Sequence, residues 1–163
     1  MSYFLSLHLM AYGTSKIFKV QFFLPEPNTL YTPLGEMTPD ILFWSTMGTA
    51  YGYTVFSGVI EIIPALLLLF RPTRILGALI SLGVMTNVLA INLGFDISVK
   101  LFSSFLLLLT LLILLPSAKT FYKFFCLQQS VVLKNYSPKL TKWPYRISKI
   151  LVVGLIILNG LFP

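Results

Sequence analysis

The sequence predicts an all-α membrane protein: a four-helix transmembrane bundle followed by a fifth, incomplete C-terminal span. Of its 163 residues, 56% are hydrophobic and only 10% are charged, against about 45–50% and about 25% in soluble globular domains. The apolar residues are gathered into blocks, and a block of roughly 20 residues can cross a hydrocarbon core of about 30 Å. Composition and block length together exclude an ordinary soluble domain.

The chain divides into three regions. Residues 1–125 form the predicted four-helix membrane domain, residues 126–146 a basic connector, and residues 147–163 the start of the fifth span. The four predicted spans are about Tyr3–Phe23, Tyr51–Phe70, Ile75–Leu93 and Val99–Leu115. The first span is short in uninterrupted apolar length, and the fifth has only about 16 residues, fewer than a crossing needs. We therefore expect the chain to be a fragment of a longer protein, or its C-terminus to be natural with the fifth span unfinished.

A proline-rich loop is predicted between the first and second spans. Four prolines between Phe23 and Asp40 are expected to rule out a regular helix there, because each removes a backbone donor and disfavours helix at the preceding residue. Ile41–Thr49 follows, and its Trp44 is typical of the headgroup level of a membrane. This segment is predicted to be either an interfacial helix or the beginning of the second span.

The distribution of positive charge predicts the orientation of the chain in its membrane. If the short Arg71–Arg74 turn is cytoplasmic, the Ser117–Arg146 connector is cytoplasmic too, because two spans separate them. Nine of the twelve Lys and Arg residues then lie on the cytoplasmic side, which satisfies the positive-inside rule. These nine are Arg71, Arg74, Lys119, Lys123, Lys134, Lys139, Lys142, Arg146 and Lys149. The net charge of +7 is thus explained by topology, and we expect the lipid bilayer, not nucleic acid, as the partner.

Glu61 is the most informative residue, because an ionisable group inside a span is costly and is normally paired or put to use. It lies about 13 Å from the cytoplasmic end of its helix, near the midplane. Pro64 frees the carbonyl of Ile60, and a carboxyl beside a free carbonyl could hold a proton, a quinol hydroxyl or a cation. The alternative is a structural acid that bonds a neighbouring helix and fixes the packing register.

Asn87 and Asn92 interrupt the third span. Asn87 is predicted at a depth similar to that of Glu61, so the two side chains could meet. Amide hydrogen bonds between membrane helices also commonly stabilise helix packing, by about 0.6 kcal/mol each and at most about 2 kcal/mol. We favour this packing role for Asn92 and leave both roles open for Asn87.

Lys16, Asn92, Asp96 and Lys100 are predicted to gather at the outer mouth of the bundle, with Glu61 as its deepest polar group. Snorkelling to the outer headgroups is the simple explanation for Lys16. Asp96 and Lys100 are four residues apart, so a local salt bridge is the simple explanation for them. The candidate ligand-binding residues are Glu61, Asn87, Lys16, Asn92, Asp96 and Lys100.

Other kinds of chemistry lack support in the sequence. A single cysteine, Cys126, forbids an intrachain disulfide, a CxxC redox pair or a cysteine-rich metal site. His8 has no second ligand nearby, so no metal site is predicted. Ser57, Thr86 and Thr110 have no predicted base partner, so the sequence offers no support for hydrolysis and no assigned catalytic residue.

Three stretches resemble DoxX family membrane proteins of the Bacteroidetes type. They are YGTSKIF (Tyr12–Phe18), GVIEIIPALLLLFRPTRILGAL (Gly58–Leu79), and GVMTNVLAIN followed by FDISVKLFS (within Gly83–Ser103). The resemblance covers roughly residues 12–125 and implies a four-helix membrane bundle in a redox system, such as a subunit of thiosulfate:quinone oxidoreductase or of an oxidative-stress system. Longer relatives continue past Phe162, which also implies a fragment.

The expected function is therefore an integral inner-membrane subunit of a quinone-linked or oxidative-stress redox system, with a polar intramembrane site around Glu61. Quinone is the cofactor that this reading suggests, and a redox protein is the suggested partner. Two alternatives stay open. The protein could be a non-catalytic membrane scaffold that anchors a partner, or it could line a pathway for small solutes or protons.

Overall fold

The computed structural model describes residues 1–132 and Gly154, and the regular structure in this part of the chain is helical throughout. The α-helices are α1 (Ser2–Ile17), α2 (Pro27–Tyr31), α3 (Pro39–Thr49), α4 (Tyr51–Leu69), α5 (Arg74–Gly94), α6 (Lys100–Leu114) and α7 (Ala118–Phe125). Short 3-10 turns occupy Leu34–Glu36 and Leu115–Ser117. Most of the predicted connector and of the predicted fifth span lies outside the described residues.

Helices α1, α4, α5 and α6 pack in a ring, each against two neighbours, in the order α1, α4, α5, α6 and back to α1. Leucines, two methionines and two alanines fill the interior, and the largest of the fully buried side chains are Leu5, Leu9, Leu68, Met85 and Leu106. Large apolar side chains also face away from the bundle on α4 and α6, among them Ile63, Leu66 and Leu108. A helix that is apolar on both its inner and outer faces is typical of a membrane span.

Three helical stretches are long and apolar enough to cross a membrane: Tyr51–Leu69, Arg74–Gly94 and the continuous Lys100–Phe125. The prediction of an all-α fold is confirmed for the described residues, and the three stretches have the length and composition that a multi-pass membrane protein needs. The bounds of α4, α5 and α6 agree with the predicted spans within a residue or two. Helix α1 has 16 residues, or about 24 Å, less than the hydrocarbon core of about 30 Å. It completes the bundle, and its role as a fourth crossing stays a prediction.

The segment between α1 and α4 covers one end of the bundle. The prediction that the prolines rule out a regular helix between Phe23 and Asp40 is wrong for α2, because Pro27 lies in the first turn of that helix, where no backbone donor is needed. Pro39 begins α3 in the same way. Helix α3 is separate from α4, since the backbone leaves helical geometry at Ala50. Phe43 of α3 stacks on Phe95 at the end of α5, with ring centroids 5.0 Å apart. Of the two predictions for Ile41–Thr49, the separate helix is therefore the one observed.

The predicted orientation can be tested with the single native cysteine. Cys126 is exposed at the end of α7, on the side that we expect to be cytoplasmic. A membrane-impermeant maleimide should therefore leave Cys126 unlabelled on intact cells and label it after permeabilisation. As a matched control, Asn28→Cys in a Cys126→Ser background should be labelled on intact cells, because Asn28 is exposed in the opposite loop. The reverse pattern would contradict the topology.

Candidate functional site

The candidate site lies beside an unusually close contact between the antiparallel helices α1 and α4. A Cβ placed on Gly13 would lie 2.7 Å from the Gly58 carbonyl oxygen, and one placed on Gly58 would lie 2.6 Å from the Gly13 carbonyl oxygen. A hydrogen atom fits at these distances from the carbonyl oxygen, but a carbon atom does not. Only glycine at both positions therefore lets the two backbones approach this closely. Small residues serve this purpose in membrane helix pairs.

Lys16 of α1 and Glu61 of α4, each about one helical turn along the chain from the glycine of its own helix, form a buried ion pair. Their relative exposures are 7% and 2%, so the pair is enclosed by protein. The Lys16 ammonium also donates to the Ser57 hydroxyl at 3.4 Å. Snorkelling of Lys16 to the headgroups is thus not observed, because its stem is held beside Gly58 and its charge is neutralised inside the bundle.

Two acceptor oxygens near this pair have no hydrogen-bond partner among the described residues. One is Oε2 of Glu61, since the ion pair with Lys16 uses Oε1. The other is Oε1 of Gln21, from the loop that follows α1. A buried polar atom without a partner costs about 1–3 kcal/mol, so both oxygens favour a group that donates to them.

Two cavities surround these oxygens. The inner cavity, about 50 Å³, is lined by Glu61, Lys16, Gln21, Asn92 and apolar side chains that include Leu106. The outer cavity, about 180 Å³, is lined by aromatic and polar side chains; these are Tyr12, Lys16, Gln21, Phe22, Phe43, Trp44, Tyr53, Ser57, Asn87, Asn92 and Ser98, with Met47 and four branched aliphatic residues. Lys16, Gln21 and Asn92 line both cavities, so the inner cavity lies against the floor of the outer one.

The two asparagines have different surroundings. Asn92 is buried and donates to the Ser103 hydroxyl at 2.9 Å, which links α5 to α6. This interhelical bond is the packing role favoured for Asn92, and the residue lines both cavities as well. Asn87 is exposed and lines only the outer cavity, so its predicted meeting with Glu61 is not observed.

Asp96 and Lys100 pair with each other at the loop between α5 and α6, as their spacing predicts. The Asp96 side chain is 78% exposed, and neither residue lines the inner or the outer cavity. Of the six candidate residues, the structure therefore brings together Lys16, Glu61, Asn87 and Asn92 around the cavities and leaves Asp96 and Lys100 outside them.

Gln21 and the aromatic wall were not found by sequence reasoning. Gln21 lines both cavities and also a surface groove of about 310 Å³ between the Phe23–Thr29 segment and α3, which includes Trp44. Its only sequence signal is an uncharged polar residue between apolar neighbours, Val20 and Phe22. Among the described residues, no group of three His, Cys, Asp or Glu side chains could hold a metal ion.

Comparison with known proteins identifies a bacterial relative. The chain is 31% identical over 131 residues to the uncharacterized protein YwoB of Bacillus subtilis strain 168, and the match covers 75% of this chain and 77% of that protein. No family model matches the chain. No solved structure matches it.

Proposed function

The chain belongs to the same family as YwoB of Bacillus subtilis, and from this premise we propose that it is a subunit of a quinone-linked redox system in the bacterial cytoplasmic membrane. In this proposal the bundle binds a quinone-type head group in the outer cavity, against the Lys16–Glu61 pair. The observation that carries the proposal is a buried ion pair whose lysine lines an aromatic cavity and whose carboxylate, in the smaller cavity beside it, has an unpartnered oxygen.

The dimensions and walls of the outer cavity favour a small planar ligand. Its volume of about 180 Å³ is below the range of about 300–1,000 Å³ that is usual for drug-sized ligands. Phe22 and Trp44 pack with ring centroids 4.9 Å apart at its edge, and aromatic side chains favour stacked or edge-to-face contact with another ring. A single head group with polar atoms at its rim fits this description.

The ion pair would supply the polar end of such a site. Glu61 offers an acceptor and Lys16 a positive charge, and in a water-poor bundle both interactions are stronger than in bulk water. Fixed charges inside a membrane usually mark a ligand or proton site. The chain has one cysteine, so electrons would pass between the bound quinone and the cofactor of a partner protein.

The DoxX resemblance of residues 12–125 supports the same assignment and is part of the proposal. The family named in that resemblance is associated with quinone-linked redox work in four-helix membrane subunits. The topology proposed with it places Ser117–Arg146 in the cytoplasm and the outer cavity on the opposite side of the membrane.

Extraction of bound lipids tests this function. The protein purified in mild detergent should carry quinone in a ratio approaching one per chain, measured by chromatography of the solvent extract. An unrelated multi-pass protein from the same membranes, purified identically, is the control for quinone carried over with lipid. A quinone content equal to that of the control would contradict the proposal.

A scaffold function is the second candidate, and one observation favours it. The ion pair lies beside the close Gly13–Gly58 contact of α1 with α4, where a buried pair can fix the register of packing without binding anything. In that case purification should yield a stoichiometric protein partner and no quinone.

A further inference from the structure

The inner cavity is small, and polar side chains form a large part of its wall. We infer that it is a water-binding site, and that water reaches the Lys16–Glu61 pair through the outer cavity, from one end of the bundle only. The inference concerns a different cavity from the one in which the quinone head group is proposed to bind. It holds whether or not a quinone binds there.

The size of the inner cavity selects its ligand. Its volume is about 50 Å³, and a water molecule takes up about 30 Å³ in the liquid. The cavity therefore has room for about one or two water molecules and for no organic ring.

The groups around the inner cavity include both acceptors and donors of hydrogen bonds. Glu61 Oε2 and Gln21 Oε1 are buried acceptors without a partner among the described residues. Tyr12 lines the same cavity, and its hydroxyl and the amide nitrogen of Gln21 are donors. Water donates and accepts, and a buried water molecule typically makes about three hydrogen bonds. Water therefore matches this mixed set of groups.

A metal cation would fit the volume but not the charge of the inner cavity. It would lie beside the Lys16 ammonium, which lines the cavity together with Glu61. Like charges at short range repel strongly where the surroundings are apolar. Water is neutral and meets no such repulsion.

The outer cavity connects the inner cavity with the surface. Lys16, Gln21 and Asn92 line both cavities, so the side chains at the boundary are polar ones that water can hydrogen-bond. Tyr53 and Ser98, which also line the outer cavity, are exposed. Ser98 belongs to the loop between α5 and α6, so the route for water opens at that end of the bundle.

Toward the opposite end, the packing of the bundle stops this route. Leu5, Leu9, Ala65 and Leu68 have no accessible surface, and the buried Ser6 hydroxyl donates to the Ala65 carbonyl. Closely packed apolar side chains offer water neither space nor hydrogen bonds. The ion pair thus lies at the closed end of the route. Protons can reach Glu61 along it, but they cannot continue across the chain.

Radiolytic labelling of the wild-type chain in detergent tests the water site. An X-ray pulse converts bound water into hydroxyl radicals, which oxidise the side chains beside it. Met85 and Met10 are a matched pair, because they are 1% and 4% exposed and only Met85 lines the inner cavity. In water that carries a heavy oxygen isotope, Met85 should take up the isotope several-fold faster than Met10. A rate at Met85 no higher than that at Met10 would overturn the water site.

Two variants assign the water to the polar groups of the cavity. Gln21→Leu removes an acceptor and a donor at similar volume, so it should lower the labelling of Met85 several-fold and leave that of Met10 unchanged. Ser81→Ala is the matched control, because Ser81 also has a buried, unpartnered oxygen but lines neither cavity. Unchanged labelling of Met85 in a folded Gln21→Leu variant would contradict the assignment. The wild-type comparison decides the question even where this variant fails to fold.

Proton flux across vesicles tests the closed end of the route. The full chain is reconstituted into phosphatidylcholine vesicles, and the decay of an imposed pH difference is followed with an enclosed fluorescent indicator. The decay should be no faster than in vesicles that contain an unrelated multi-pass protein. A faster decay would overturn the one-ended route and leave the water site in place. Neither measurement uses a quinone, so failure of the quinone proposal would change neither result.

Discussion

Replacing Lys16 with methionine is expected to lower the free energy of unfolding by about 3–5 kcal/mol, because the Glu61 carboxylate would stay buried without its cation. Methionine retains the length of the lysine stem that packs beside Gly58, so lost packing adds little. Thermal unfolding in detergent measures the loss. Under the proposed function, quinone retention should fall as well, since the floor of the outer cavity would lose its positive charge.

The double variant Lys16→Met/Glu61→Leu separates stability from binding. Replacing both members of a buried pair with apolar residues is often neutral or stabilising by about 1–4 kcal/mol, so we expect the melting temperature to return to that of the parent. Quinone retention should not return, because the donor and acceptor are both absent. A double variant that keeps its full quinone content would show that the pair has only a packing role.

Glu61→Gln is the milder companion of that experiment. Glutamine keeps the shape of the side chain and an oxygen that accepts from Lys16, so folding should survive. It removes the negative charge and the titratable group, and the quinone content should fall. A Gln variant equal to the parent in stability and quinone content would remove Glu61 from the proposed site.

Replacing Gly58 with alanine is expected to separate α1 from α4 and to cost about 1–3 kcal/mol, the usual range for overpacking. The new Cβ would lie 2.6 Å from the Gly13 carbonyl oxygen and 2.9 Å from a side-chain carbon of Ile17. The first of these atoms belongs to backbone and cannot turn away. Because Lys16 and Glu61 lie one turn from the contact, the shift should also lower quinone retention.

Gly83→Ala is the matched control for this prediction. Gly83 is in α5, and a Cβ there would meet no atom within 4 Å. Alanine favours helix over glycine by about 1 kcal/mol, so the melting temperature should stay the same or rise. A Gly58→Ala variant that behaves like Gly83→Ala would mean that the close helix contact is not needed for folding or binding.

The sequence by itself determined the elements and their class. The length and composition of the apolar blocks were sufficient to predict helices α4, α5 and α6, because a span needs about 20 apolar residues whatever it packs against. The proline spacing predicted the break between α1 and α3, and the i, i+4 spacing predicted the Asp96–Lys100 pair. Glu61 could be singled out because an ionisable side chain inside a span is energetically costly and therefore rare. This argument holds whichever residue pairs with it.

Only the tertiary structure decided how these residues combine. Lys16 and Glu61 are 45 residues apart, and their meeting depends on the crossing of α1 and α4 at Gly13 and Gly58. Gln21 enters the site because the chain turns back over the end of the bundle after α1. Asn87 does not line the inner cavity, although it was predicted at a depth similar to that of Glu61. Position along the sequence fixes the depth of a residue in its helix. The direction in which its side chain faces depends on how the helix is rotated against its neighbours, and only the tertiary structure shows this.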